Sequence, residues 1–244
     1  MGRHEQFDQE NQGAHGPWDR SRFLHFLHLS MRHRFLYCST PKVACSSLLM
    51  TLQRIEAQDP GLLHDPWGEV HYREFSPLLM PLQVPSFRDW MLDPAVFKFC
   101  FVRNPFSRLL SAYLDKIVMT EGFRAKFRAA LGRDEGGITF AEFIDVVAAE
   151  SDEEMDDHYS VQYRHTFQSR IPYDYIGRFE ALPAGMAEVG RRIGVDMRAY
   201  EARVDSHRTG AHDYARHYTP RMTRLVQDRF AEDFSAFGYR AALP

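Results

Sequence analysis

The stretch Arg34 to Leu49, RFLYCSTPKVACSSLL, constrains the chain most. Phe35 to Ser39 reads as a short buried strand, Thr40 to Ser46 as a tight polar turn carrying one lysine, and the residues beyond as the start of a helix. Leu48, Leu49, Leu52 and Ile55 recur at helical spacing and give that helix an apolar face toward a sheet, with its end expected before Pro60 and Gly61. Unpaired backbone N–H groups and the positive end of the helix dipole converge on such a turn. A lysine and two hydroxyls placed there make an anion-holding site.

A second unit of the same kind follows. Phe97 to Val102 (FKFCFV) is apolar enough for a strand buried on both faces. Arg103, Asn104 and Pro105 end it, and Pro105 suits the first turn of the next helix. In that helix Phe106, Leu109, Leu110, Tyr113, Leu114 and Ile117 form the apolar side. Ser107, Ser111 and Asp115 are spaced four apart on another face, expected to point away from the core. If the two strands are neighbours, Lys42, Ser46 and Ser47 face one crevice with Arg103 and Ser111, at the carboxyl ends where open α/β sheets bind ligands. Two cationic clusters imply a ligand with two separate anionic groups. A nucleoside triphosphate is the obvious competitor, but a Walker A loop needs G-x-x-x-x-G-K-[ST], and PKVACSS has no glycine and carries its lysine at the start.

Bulk properties exclude some classes. A formal net charge of −3 over 244 residues argues against non-specific nucleic-acid binding. The most apolar early run, Phe23 to Met31, is far short of the ~20 residues of a membrane span. Residues 1–20 are polar, with Gly and Pro, and are expected to form a loosely held arm before one domain over 21–244. Cys38, Cys45 and Cys100 lack metal-ligand spacing, and an odd count suggests no disulfide framework, which favours a reducing compartment. Cys45 reads as a small buried residue before it reads as a reactive thiolate. His25, His28 and His33 are expected to line a helix and not to hold a metal, and the acidic run Glu150 to Asp157 to be a solvated loop. Leu62 to Pro94, broken by prolines, reads as an irregular region lining a cleft, with GEVHYREF as a short strand or active-site loop.

Several motifs in order carry a family resemblance. PKVACSS resembles the 5′-phosphosulfate-binding loop, and FVRNPFSRLLSAYLDK the 3′-phosphate-binding element, of the carbohydrate sulfotransferases related to the chondroitin 4-O, glucuronyl 3-O and heparan sulfate 2-O enzymes. DDHYSVQYRH followed by YDYIGRFEAL is similar to that family's H-W-x-P-Q and Y-D-Y-I-G-x-x-E stretches, and LVQDRFAEDFSAFGY to its closing helix. Tyr159 and Val161 stand where the family has Trp and Pro. The resemblance spans roughly Arg34 to Tyr239 and implies transfer of a sulfuryl group from 3′-phosphoadenosine 5′-phosphosulfate to a hydroxyl of a glycan or glycolipid, without a metal.

Carried over residue by residue, the resemblance gives Pro41, Lys42, Val43, Ala44, Cys45, Ser46 and Ser47 to the donor loop. Lys42 falls on the phosphosulfate bridge and Ser46 and Ser47 on the 5′-phosphate. Arg103 and Ser111 fall on the 3′-phosphate, and His158 and Gln162 on acceptor contacts. Lys42 is then the electrostatic catalyst at the departing phosphate oxygen, and Arg103 the anchor. His71 is the first candidate for the base that takes the acceptor proton, ahead of His158, Glu69 and Glu74. Ser206 to Gly210 (SHRTG) is a further phosphate-contact candidate or a plain turn, and Glu180 orients the site or caps a neighbour.

The expected architecture is α/β: a single domain with a parallel central sheet flanked by helices, resembling the sulfotransferase variant of the P-loop nucleotide fold. The expected activity is that of a sulfotransferase. A P-loop kinase and a non-catalytic nucleotide or glycan binder are the alternatives. The expected compartment is the cytoplasm, or else the chain is the catalytic part of a Golgi-anchored protein.

Overall fold

In the computed structural model, which describes residues 17–62, 69–202 and 213–244, helix α1 (Pro17–Phe26) runs directly into β1 (Leu27–Ser30). After it come β2 (Phe35–Cys38), α2 (Cys45–Ala57), α3 (Phe87–Leu92), β3 (Phe97–Val102) and α4 (Pro105–Ala112). A π-helical turn, Tyr113–Ile117, extends α4. The remainder is α5 (Glu121–Ala130), α6 (Phe140–Ala149), α7 (Gln162–His165), β4 (Tyr175–Arg178), α8 (Leu182–Ile193), α9 (Pro220–Arg229) and α10 (Ala231–Phe237). The arm expected over residues 1–20 lies outside the described residues up to residue 16, and Pro17 to Arg20 open α1. The candidate loop 206–210 and residues 63–68 of the proline-rich region also lie outside them.

The sheet runs β1-β2-β3-β4. β2 and β3 are parallel neighbours, with Phe35 opposite Phe97 and Cys38 opposite Cys100, so the two strand-turn-helix units do open side by side. β4 adds to β3 in parallel over four residues. β1 pairs antiparallel with β2, which gives the otherwise parallel sheet one antiparallel edge. His28 therefore sits on a strand and His33 in the connecting turn, and only His25 on a helix. Tertiary pairing overrides the helical look of FLHFLHL, because Leu27 and Leu29 are fully buried once laid against β2.

Period-two alternation splits the sheet into two apolar faces. Phe35, Tyr37, Phe97, Phe99 and Phe101 face α2, packing with Leu48, Leu49, Leu52 and Ile55. Leu36, Cys38, Cys100 and Val102 face the other way, onto Phe23, Phe26, Phe87 and Trp90. The Phe99 ring stacks on Tyr37 at 5.1 Å and on Phe97 at 5.2 Å between centroids. β4 approaches closely enough that a Cβ on Gly177 would lie 2.3 Å from the Phe101 ring, so only glycine fits there. A third apolar cluster joins α4, α5, α6 and α9 through Phe106, Phe127, Phe143, Val226 and Phe230.

α4 is buried on every side, so the expectation that its polar line points away from the core fails: Ser107 and Ser111 are both buried. The Ser107 hydroxyl accepts from Arg103 Nε at 2.9 Å and donates to Asn104 O at 3.2 Å, partners that water would otherwise supply.

Candidate active site

The turn after β2 is built without glycine yet uses backbone that favours it. Lys42 and Ala44 have φ of 67° and 54°. A left-handed L-residue costs roughly 1–2 kcal/mol. Between them Val43 is buried in the core and donates its N–H to Thr40 O at 3.3 Å, which anchors the turn. Ala44 is the N-cap of α2, so no side chain caps that helix and no acid stands in its first turn. Cys45, Ser46 and Ser47 form the first turn of a 13-residue helix whose dipole is left for an anion. Burial pushes the Cys45 thiol up in pKa and Lys42 only partly opposes it, in keeping with a packed residue.

The turn is held from outside. Arg103, at the end of β3, donates from Nη1 to the Lys42 carbonyl at 3.1 Å and from Nε to Ser107 Oγ at 2.9 Å. Its guanidinium lies 4.2 Å from the centre of the Phe179 ring. Burial draws its pKa down to about 10, far enough above neutrality to keep the charge. Arg108, one turn further along α4, donates to Pro41 O at 3.1 Å, Ser160 O at 2.6 Å and Asp157 O at 2.9 Å. The Lys42 ammonium lies 3.0 Å from Asp115 Oδ2, and Lys116 reaches the same oxygen at 3.3 Å. Burial lowers the Lys42 pKa while Asp115 pushes it back up. Asp115 reaches the lysine from the π-turn, a distortion common at functional sites.

The structure thus brings together Pro41, Lys42, Val43, Ala44, Cys45, Ser46, Ser47 and Arg103. Ser111 stands one turn beyond Ser107, buried on the same helix. His71 joins the cluster from the 3-10 turn Glu69–His71, where its Nε2 lies 2.8 Å from Ser46 Oγ. His158 has Nδ1 2.6 Å from Asp156 Oδ1 and its ring edge-on to Phe123 at 5.8 Å, and it feels the charges of Lys42 and Lys116. Gln162 plays a different part from the acceptor contact expected. It is 0% exposed; its amide accepts from Arg103 N and donates to Arg103 O, each at 2.9 Å, and donates to Asp233 at 3.1 Å. Every polar atom of that side chain is used in holding Arg103. Glu180 does likewise for Asn104, accepting its N–H at 2.9 Å while also accepting from Tyr239 OH at 2.8 Å.

Three site neighbours escaped the sequence reading. Arg108 shows there only as a charge among Leu109, Leu110 and Phe106, a pattern that signals a buried cation with dedicated partners. Asp115 belongs to the polar line expected to point away from the core. Asp156 sits in the acidic run read as a solvated loop, where Met155 is in fact buried and Asp156 holds His158.

The sequence model of the sulfotransferase family matches residues 27–240. The chain belongs to that family. Carbohydrate sulfotransferase 14 of Mus musculus is 29% identical over 245 residues, covering 91% of this chain and 64% of its own. The Danio rerio protein of the same name is 27% identical over 240 residues, with the same two shares. Carbohydrate sulfotransferase 10 of Pongo abelii is 26% identical over 235 residues, 86% of this chain and 65% of its own. This sulfotransferase-family chain spans about two thirds of the length of these curated relatives. No solved structure matches it significantly. Among the described residues no helix is long and apolar enough to cross a membrane, and no group of three or more His, Cys, Asp or Glu is placed to hold a metal.

Proposed function

We propose that this domain moves a sulfuryl group from 3′-phosphoadenosine 5′-phosphosulfate to a hydroxyl of a glycan or glycolipid. One observation carries the reading: the Arg103 guanidinium and the Lys42 turn, at the ends of adjacent parallel strands, are joined directly by the 3.1 Å bond from Arg103 to the Lys42 carbonyl. Two fixed cations in one crevice suit a nucleotide with phosphate at one end and phosphosulfate at the other. The uncapped start of α2, Ser46, Ser47 and Lys42 are assigned to the phosphosulfate, and Arg103 with Ser111 to the 3′-phosphate. The relatives' names, carbohydrate sulfotransferases, support a sugar acceptor.

In the transfer, the acceptor oxygen forms its bond to sulfur as the bond from sulfur to the bridging oxygen breaks, and negative charge grows on the departing phosphate. Lys42, whose side chain is largely desolvated, stabilises that charge more than it stabilises the intact donor. Asp115 keeps the ammonium charged and aimed. Arg103 draws on binding energy remote from sulfur to orient the donor. The three free thiols fit reducing surroundings and hence the cytoplasmic assignment. Thermal unfolding tests the reading: adenosine 3′,5′-bisphosphate raises the midpoint and ATP does not, since only a ligand of the native site stabilises it. Equal stabilisation by ATP returns the site to the nucleoside triphosphate class.

A further inference from the structure

Two histidines border the crevice, and their surroundings divide the work between them. His71 places Nε2 against Ser46 Oγ, in the turn assigned to the 5′-phosphate, so its imidazole stands at the donor's end. His158 stands elsewhere. Its Nδ1 faces Asp156 Oδ1 at 2.6 Å, and Asp156 also accepts the His158 backbone N–H at 2.9 Å. A carboxylate on Nδ1 fixes the tautomer with the proton there and leaves Nε2 with its lone pair. Among the described residues none bonds that nitrogen, and the side chain is 30% exposed.

The position of His158 relative to Lys42 is also fixed. The Arg108 guanidinium ties Pro41 O, just before Lys42, to Asp157 O and Ser160 O on either side of the histidine. A line of contacts closes the same gap from above: Lys42 to Asp115, Asp115 to Lys116, Lys116 over the Phe123 ring at 5.8 Å, and Phe123 edge-on to His158. The charged groups that act on His158 are Asp156 from its own loop, Lys116 from the π-turn and Lys42 from the turn after β2. Burial and the two lysines hold its pKa below the usual imidazole value against the pull of Asp156, so the ring is neutral at pH 7.

We infer that His158, oriented by Asp156, is the general base that takes the proton from the acceptor hydroxyl, with His71 serving the donor end. The inference rests on the sulfuryl-transfer reading above. In the step, Nε2 accepts the hydroxyl proton as the oxygen lone pair forms the bond to sulfur. The bond from sulfur to the bridging oxygen breaks, and its electron pair stays on the phosphate facing Lys42. The products are the sulfate ester, adenosine 3′,5′-bisphosphate and an imidazolium that returns its proton to water. This is the triad arrangement of an orienting carboxylate, a base and an attacking hydroxyl, with the hydroxyl supplied by the substrate.

The test measures bisphosphate release from the donor, with unsulfated chondroitin as acceptor probe and with water alone, alongside bisphosphate affinity by calorimetry. His158→Ala and His158→Gln lower turnover roughly 10²- to 10⁴-fold with affinity for the bisphosphate unchanged, which also shows that the site has folded. Added imidazole restores part of the turnover of His158→Gly. Asp156→Asn lowers turnover less and moves the acidic limb of its pH profile to lower pH, because the carboxylate that favours the imidazolium has gone. His71→Ala weakens bisphosphate binding. A His158→Ala protein with wild-type turnover, or a loss confined to donor affinity, overturns the assignment. A wild-type protein that neither binds the bisphosphate nor releases it from the donor overturns the sulfuryl-transfer reading instead.

Discussion

The turn after β2 and the turn after β3 stand side by side at the same edge of the sheet and are built by opposite means. The second completes itself locally: Asn104 is the N-cap of α4, its side chain accepts the Phe106 N–H at 3.0 Å, and Pro105 fills the first helical position. The first is strained at Lys42 and Ala44, has no side-chain cap, and borrows its fixity from Arg103 and Arg108 of the second unit. A helix start that satisfies itself has nothing left for a ligand. The open start is the one where an anion is stabilised, and the closed one supplies its scaffold.

The largest break in this contrast comes from removing Arg108. Three carbonyls around a buried guanidinium lose their donor together. Arg108→Met is expected to cost about 3–5 kcal/mol in all, since each buried carbonyl left without its donor costs about 1–3 kcal/mol. At about 2–4 °C per kcal/mol for a chain of this size, the unfolding midpoint falls by roughly 6–20 °C. An unchanged midpoint means the first turn stands by itself.

Next in size is the functional asymmetry. Lys42→Ala is expected to lower kcat about 10²–10³-fold, the loss typical of one preorganised donor at a developing anion, while leaving bisphosphate affinity near wild type. Arg103→Ala is expected to weaken bisphosphate binding and spare the chemical step more. Kinetics with the two patterns exchanged refute the roles given to the two turns.

Paired substitutions at the caps sharpen the comparison on stability alone. Ala44→Gly relieves a left-handed φ and is expected to gain about 1 kcal/mol. Asn104→Ala removes a working cap and is expected to lose about 1 kcal/mol. Chemical denaturation of both variants, read against wild type, gives opposite shifts in midpoint. Shifts of the same sign mean the two helix starts are alike.

The sequence made the two units legible because each rests on local rules: an apolar strand, a breaker, then an apolar helical face. The end of α2 followed from those rules, and the pairing of β2 with β3, left there as a condition, is parallel in the fold. What escaped depends on contacts between segments far apart in the chain. β1 is a strand only because β2 lies beside it. Ser107 and Ser111 are buried because the helix carrying them is enclosed, which no periodicity within the helix records. Asp115 reaches Lys42 only because the helix widens into a π-turn at Tyr113. Gln162, assigned to the acceptor by family resemblance, proves to be the clamp on Arg103.

The smallest effect distinguishes the footings of the two turns by pH. Ser39, which leads from β2 into the first turn, rests on imidazoles: His28 Nε2 lies 3.1 Å from its hydroxyl and His165 Nε2 3.0 Å from its carbonyl. Arg73, a donor only, bonds His28 Nδ1. Nδ1 must therefore accept, and the proton sits on Nε2, directed at Ser39. Burial first, then Arg73, His25 and His71, hold the His28 pKa well below its ordinary value. Below the ordinary pKa of 6.5 the unfolded chain thus binds a proton that the folded chain refuses. Stability contributed by neutral His28 is present above that value and drains away as pH falls through it toward the folded pKa. One such proton amounts to about 0.7 kcal/mol between pH 7 and pH 6. Comparison of wild type with His28→Gln across that interval should show a flatter decline in the variant. Parallel declines place the acid sensitivity elsewhere and leave the two turns with equally inert supports.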